Sequence, residues 1–438
     1  MNILFANLFW EYGEDLSKDN MRQLQFPTGL AIIAAEIQQN RNDELFVIDN
    51  YISKINDDDV LNFISSNNIN CVLLSAYLGN YQYFYIKQFV NKIAGHFPEC
   101  KVIIGGPMAS TVPQILLENI LAKDEQVILV IGEGEKTIID LLINLENEGN
   151  LSKVGGISFI KDSKYIQTPS RARIQNLDEH PYPAYELFDI KKYVDYVKTT
   201  NRCWELCTSR GCYGQCVYCK RVFGNKISMK SASCIVKEME DFSLKYDINR
   251  FNFVDDNFLN SEKQVLAFYD ALKKSKMEFK WRFQGRADRF TPTLAKKLVE
   301  VGLYDVSFGI ESGSPIILKE MKKMLNIETA RQNLKSLPEE LDTHASFIIG
   351  MPSESHETIR QTIQFIKSTQ IKNVNAGILT IFPGTPLYEQ VMVKGVIKDE
   401  DDYCNRLGPA YVYPYINLTS YSDDQLLQWR DLVSQAAQ

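Results

Sequence analysis

The chain has 438 residues, 45% of them hydrophobic and 24% charged, with a net charge of −7 and a pI near 5.4. This is the composition of an ordinary globular protein of about two to three domains, and its acidic balance disfavours a basic nucleic-acid groove. No apolar run approaches the roughly 20 residues of a membrane span, and the apolar N-terminal stretch lacks the basic lead-in of a secretory signal, so a cytoplasmic protein without a membrane span is expected.

The first 160 residues alternate strand and helix patterns. Asn2–Ala6, Leu45–Ile48, Cys71–Ser75, Val102–Ile104, Val127–Ile131 and Ile157–Ile160 are short apolar runs. Helical patterns such as Gly29–Gln38, Tyr83–Ile93 and Lys136–Leu145 lie between several of them. Short continuous apolar strands alternating with helices predict a doubly wound parallel sheet covered on both faces, with its ligand at the C-terminal strand ends. Residues 161–200 show little periodicity and carry Pro181 and Pro183, which favour extended backbone. They read as a linker.

A second alternation begins near Trp204. Its strands are expected at Leu206–Ser209, Arg250–Val254, Lys280–Gln284, Asp305–Gly309, Ala345–Ile349 and Val374–Thr380. Helices are expected at Ala232–Lys245, Ser261–Lys274, Thr293–Val301 and Glu357–Ser368. Six βα units in series suggest a partial barrel related to the TIM architecture, with its chemistry at the C-terminal strand ends. The polar residues obey that rule. A cysteine loop follows the first strand, Asp255 and Asp256 the second, Arg286 and Asp288 the third, Glu311 the fourth, and Gly350-Met351-Pro352 the fifth. The expected organisation is an α/β domain over 1–160, a linker over 161–200, a barrel over 201–385 and a C-terminal segment over 386–438 that covers the barrel.

The cysteine loop carries the most chemistry. Cys212, Cys216 and Cys219 are spaced CxxxCxxC. A structural zinc site needs four protein ligands, which would require Cys203 or Cys207 as the fourth. A [4Fe–4S] cluster held by three thiolates leaves one iron free of protein. A reducing compartment favours metal binding over disulfides for such cysteines.

This motif, with Tyr218 before the last cysteine, resembles the radical SAM superfamily. Phe26–Leu30, Gly105-Gly106-Pro107, Gly132–Glu135, Leu177–Pro183, Val254–Phe258, Gly309–Gly313 and Gly350–Pro352 resemble its subgroup with a cobalamin-binding domain. The resemblance implies that Cys212, Cys216 and Cys219 ligate three irons and that the fourth iron chelates S-adenosylmethionine (SAM). Reductive cleavage of SAM then gives a 5′-deoxyadenosyl radical that abstracts hydrogen from substrate. It also implies SAM contacts from Tyr218, Asp255, Asp256, Arg286, Glu311, Gly350 and Pro352. A carboxylate suits the SAM ammonium and a guanidinium its carboxylate. The competing readings are a helix cap for the aspartates and an ion pair for Arg286 with Asp255, Asp256 or Glu311.

Cobalamin contacts are expected from Ser75, Tyr77, Gly105, Gly106, Glu133 and Gly134. The DxHxxG motif that supplies a lower histidine ligand in many cobalamin domains is absent, and His96, His180, His344 and His356 stand in no such motif. The tail tyrosines Tyr403, Tyr411, Tyr413, Tyr415 and Tyr421 either pack over the barrel or line its cavity.

The leading functional expectation is cobalamin-dependent methylation of an unactivated carbon in a small metabolite or lipid, with flavodoxin or ferredoxin as electron donor. The alternatives are radical ring contraction, cyclisation, dehydration or rearrangement without methyl transfer, and a cluster- or zinc-stabilised binding or sensor protein. The short tail suits a small substrate.

Overall fold

The computed structural model describes residues 1–8 and 24–437. Two compact units divide the chain. The first comprises Met1–Ile174, Glu179–Tyr196 and Gly395–Gly408, and the second Gln175–Asp178, Val197–Lys394 and Pro409–Gln438. Among the described residues no helix is long and apolar enough to cross a membrane.

The first unit is built on a seven-stranded sheet. Its strands are β1 (Asn2–Asn7), β2 (Glu44–Asp49), β3 (Cys71–Ser75), β4 (Lys101–Gly105), β5 (Val127–Val130), β6 (Ile157–Lys161) and β7 (Lys164–Gln167), in the spatial order 2-1-3-4-5-6-7. The first five are parallel. Alternation along β1 explains the two covered faces. Ile3 and Phe5 pack with helices Thr28–Asn40 and Glu135–Glu146, whereas Leu4 and Ala6 pack with Asp57–Ser66 and Gln82–His96. Such strands bury both faces, which is why they read as unbroken apolar runs.

Two expectations are corrected here. The Ile157–Ile160 run pairs antiparallel to β5, and Lys164–Gln167, assigned to the linker, is a seventh strand antiparallel to β6. Asp162 and Ser163 join them with φ of 49° and 57°. Positive φ at both central residues is the hairpin turn usually written Asn-Gly or Asp-Gly, so Asp-Ser concealed it. The C-terminal segment is also divided. Helix Glu400–Arg406 belongs to the first unit, where Asp401 accepts from Lys87 Nζ at 2.7 Å and Tyr83 Oη at 2.6 Å. Cys404 and Tyr403 are buried there too.

The second unit contains a six-stranded parallel sheet of β8 (Trp204–Leu206), β11 (Arg250–Phe253), β12 (Lys280–Gly285), β13 (Leu303–Glu311), β14 (Asp342–Ile349) and β15 (Asn373–Ile378), adjacent in chain order. Sequential order with helices between strands is the partial (β/α)6 barrel. A separate antiparallel pair, β9 (Ser209–Arg210) and β10 (Ser228–Met229), closes the cysteine loop. The expected first strand therefore ends early, and its last residue starts β9. Phe251, Phe253, Trp281 and Phe283 alternate along β11 and β12; Phe253, Trp281 and Phe283 pack with Phe258, Phe268 and Phe290 into one aromatic layer, and Phe251 packs with Phe242 and Phe279. That layer fixes the register of strands whose C-terminal ends carry the polar residues.

Gly302, between helix Pro292–Glu300 and β13, has φ of +92°, and a Cβ there would lie 1.8 Å from the Phe279 carbonyl oxygen. Neither backbone can yield cheaply. Gly302→Ala is expected to destabilise the second unit by at least about 2 kcal/mol. Gly224→Ala, at φ of +70° with open space around its Cβ, should cost only about 1 kcal/mol from strain. Guanidinium denaturation midpoints of the two variants check this.

Candidate functional site

The site at the barrel's C-terminal edge begins with Asp255, which follows β11 and is buried. Its carboxylate accepts from Thr208 N at 2.6 Å, Thr208 Oγ1 at 2.5 Å, Ser209 N at 3.0 Å and Ser209 Oγ at 3.0 Å. Burial still pushes its pKa up against these bonds. Asp255 is thus committed to fixing the entry of the cysteine loop. Asp256 is exposed and makes one such bond, accepting from Gly211 N at 2.9 Å, which leaves carboxylate oxygen open to a cation. Gly211 itself turns at φ of +94°.

Within the loop, Gly214 is the close-approach position. A Cβ there would stand 3.3 Å from Cys212 Sγ and 3.8 Å from Cys216 Sγ. The loop is held to the barrel by Val217, whose N–H donates to Met321 O at 3.0 Å and whose carbonyl accepts from Leu387 N at 2.9 Å. Cys219 is exposed yet ringed by protein. Desolvation, with Cys216, Asp256 and Cys212 nearby, pushes its thiol up to about 11. A cationic metal centre is what such a crowd of would-be anions needs before it can deprotonate.

The zinc alternative lacks a fourth ligand. Cys203 Sγ lies 2.9 Å from Tyr304 Oη, and Cys207 Sγ donates to Ser209 O at 3.3 Å. Among the described residues no three His, Cys, Asp or Glu side chains converge tightly enough to hold a single ion. Three cysteines in one loop match the three protein-held irons of a [4Fe–4S] cluster with one open iron.

Arg286 follows β12, and four of its five N–H donors are taken. Nε and Nη2 reach Asp288 at 3.1 and 2.8 Å, Nη1 the Lys323 carbonyl at 3.0 Å, and Nη2 the Met324 carbonyl at 2.5 Å. Its ion-pair partner is Asp288, which was not among those expected. Glu311 ends β13 and pairs with Lys323 at 2.9 Å, and Lys323 Nζ also lies 3.5 Å from Tyr218 Oη. Burial alone would lower the Lys323 pKa. Glu311 and Cys216 hold it above its ordinary value.

Lys323 escaped sequence reading because it sits in a turn far from any strand end. Its signal was the Lys-Lys-Met run closing the helix after Gly313. Tyr411 is the tail tyrosine of interest: although 40% exposed as a residue, its phenol is pushed up by local desolvation and by Glu311 and Cys219, while Tyr421 packs on Trp429 and His356.

Gly350 follows β14 at φ of +116° and donates to Glu354 Oε2 at 3.2 Å. Pro352 beside it is exposed.

In the first unit the strand order reverses between β1 and β3, where doubly wound sheets bind ligands. A crevice of about 460 Å³ lies there, lined by Asn7, Phe26, Thr28, Tyr51, Ser75 and Tyr77 among others. The Tyr51 and Tyr77 hydroxyls are 3.4 Å apart. Gly105, Gly106, Glu133 and Gly134 end β4 and β5 or begin the next helices but do not line this crevice. Gly106, at φ of +89°, abuts Ser75 Oγ and the Ala76 carbonyl. Glu133 accepts from Ile174 N at 2.8 Å, and Gly134 precedes helix Glu135–Glu146. Asn7 and Tyr51 were missed because the strand-end rule was applied to β3–β5 and not to β1 and β2.

The chain matches the radical SAM superfamily over residues 206–366 and the B12-binding domain over residues 19–142. It belongs to the radical SAM superfamily, in the subgroup with a cobalamin-binding domain. The cofactors of this subgroup are a [4Fe–4S] cluster, SAM and cobalamin, and both the cysteine loop and the polar crevice at the β1/β3 switch suit them.

An uncharacterized methyltransferase of Pyrococcus horikoshii is 29% identical over 377 residues, covering 85% of this chain and 79% of its own. Cytidylyl-2-hydroxyethylphosphonate methyltransferase of Streptomyces wedmorensis is 27% identical over 347 residues, covering 69% of this chain and 63% of its own. In fold, the chain is similar to the cobalamin-dependent radical SAM enzyme OxsB, with TM-score 0.70 at 17% identity over 96% of this chain and 58% of OxsB. This radical SAM chain is therefore shorter than some of its relatives.

Burial raises the Glu354 carboxyl to about 7, against bonds from Thr358 and Gly350 and helped by Glu320. The folded state thus favours the protonated form. The contribution of Glu354 to stability is greatest below the ordinary glutamate range and falls by roughly 3 kcal/mol as pH rises through 7. Glu354→Gln should remove this dependence. Denaturation at pH 5 and pH 8 of both proteins measures the difference.

Proposed function

We propose that the protein methylates an unactivated carbon of a small metabolite or lipid. The reading is carried by the cysteine loop at the end of β8 joined in one chain to a domain with a polar crevice at its β1/β3 switch. Bound together, the cluster, SAM and cobalamin supply one-electron reduction, a hydrogen-abstracting radical and a transferable methyl group.

The chain's own residues have simpler tasks. Cys212, Cys216 and Cys219 hold three irons as thiolates, while Gly214 keeps side-chain bulk away from two of the sulfurs. Asp255 holds the loop entry, so the loop keeps its shape when the thiols ionise. Asp256, with open carboxylate oxygen, accepts from the SAM ammonium. Tyr218 and the Gly350–Pro352 turn form the apolar and backbone walls for the adenine, and Glu311 is an acceptor for the ribose hydroxyls. Arg286 acts by holding the Lys323–Met324 carbonyls rather than by meeting the SAM carboxylate. Ser75 and Tyr77, with Asn7 and Tyr51, offer hydroxyl and amide groups to cobalamin. Gly105, Gly106, Glu133 and Gly134 shape the neighbouring strand ends. A small acidic electron carrier of the flavodoxin or ferredoxin kind completes the system.

Anaerobic reconstitution should give about four irons per chain. With dithionite, SAM and cobalamin, Cys216→Ala should lose SAM cleavage entirely, and retained cleavage would reject Cys216 as a ligand. With substrate, S-adenosylhomocysteine should form together with 5′-deoxyadenosine. The appearance of 5′-deoxyadenosine alone would replace methylation by a radical rearrangement, cyclisation or dehydration.

A further inference from the structure

Three non-glycine residues near the cysteine loop have left-handed backbone. They are Glu311 at φ of 70°, Lys322 at 50° and Met324 at 54°. Each such residue carries strain on the order of 1 to 3 kcal/mol, which persists only where the surroundings enforce it. Here they do. Lys323 N donates to Leu318 O at 3.0 Å, Val217 N to Met321 O at 3.0 Å, and Arg286 to the carbonyls of Lys323 and Met324 at 3.0 and 2.5 Å.

The outcome is an alternation in which Lys322 and Met324 are exposed and Lys323 is buried. Glu311 is turned to meet it where the β13–β14 register slips between Gly309 and Glu311. Gly309 leaves the room required, since a Cβ there would stand 2.7 Å from Glu311 Oε1 and 3.1 Å from Lys323 Nζ. A buried ion pair is a weak source of stability, so strain spent on placing one calls for another purpose. The pair lies against Tyr218, between Cys216 and Cys219 in the loop.

We propose that Lys323, held and partly offset by Glu311, sets the reduction potential of the cluster bound by Cys212, Cys216 and Cys219. This rests on the ligand assignment proposed above. One-electron reduction adds a negative charge to a cluster, and net charge and burial around it help set its potential. A fixed cation at low dielectric favours the reduced form. Glu311 opposes it, so the two charges act with opposite sign.

The test is a redox titration of the reconstituted full-length chain without SAM, followed by the electron paramagnetic resonance signal of the reduced cluster. Lys323→Met should lower the equilibrium constant for reduction about tenfold, a shift of about 59 mV to more negative potential. Glu311→Gln should shift it in the positive direction, and Lys323→Arg should stay within about twofold of the wild type. Opposite signs distinguish a charge effect from loosened packing, which would move both variants alike. Shifts of the same sign, or none, in variants that retain about four irons would overturn the inference and leave the ligand assignment standing. A wild-type chain that assembles no four-iron cluster would sink both. If Lys323→Met fails to load iron, the sign of the Glu311→Gln shift decides.

Discussion

The carboxylate of Asp255 is the constraint on which the site depends. It comes from the end of β11 and binds two successive residues, Thr208 and Ser209, at the entry of the cysteine loop, by backbone and side chain alike. A loop with three cysteines has little to organise it from within, because its polar groups must stay available to a ligand. Borrowing four bonds from an adjacent strand end solves that. It also explains why two consecutive aspartates are needed: the first is consumed by the scaffold and the second remains open to solvent.

The barrel was legible because its evidence is local and redundant. Its strands carry short apolar runs or, in β11 and β12, aromatic residues alternating with polar ones, and the rule that chemistry gathers at C-terminal strand ends located Asp255, Asp256, Arg286, Glu311 and Gly350 from sequence alone. What could not be read was which charged group each would meet. Arg286 pairs with Asp288 two residues away, and Glu311 with Lys323 on a turn. The second pairing depends on left-handed backbone at Glu311, Lys322 and Met324, and nothing in the residue types announces those angles. The β6–β7 hairpin was lost for the same reason, since Asp162 and Ser163 adopt the geometry that glycine usually signals.

The first unit shows the other limit. Its strand order follows from chain connectivity and was not deducible from composition, yet that order decides where the crevice lies. Of the residues expected at the ends of β3, β4 and β5, Ser75 and Tyr77 line the crevice with Asn7 and Tyr51, and Gly105, Gly106, Glu133 and Gly134 lie outside its lining. Glu133 is instead tied to Ile174 N and Gly106 to the backbone beside Ser75, so they support the crevice from one side.

The way the two sheets finish has a consequence for the chain before it is fully folded. Parallel strands assemble slowly and leave apolar edges open meanwhile. In the first unit the last strand, β7, is four residues long, with Lys161 and Lys164 paired at its turn. In the second, Ile378 at the end of β15 is already engaged by the Tyr411 carbonyl at 2.8 Å. A short lysine-flanked edge and a self-paired edge are both poor templates for another copy of the chain. At the β7 and β15 edges, these features therefore guard against aggregation while the slower parallel pairings form.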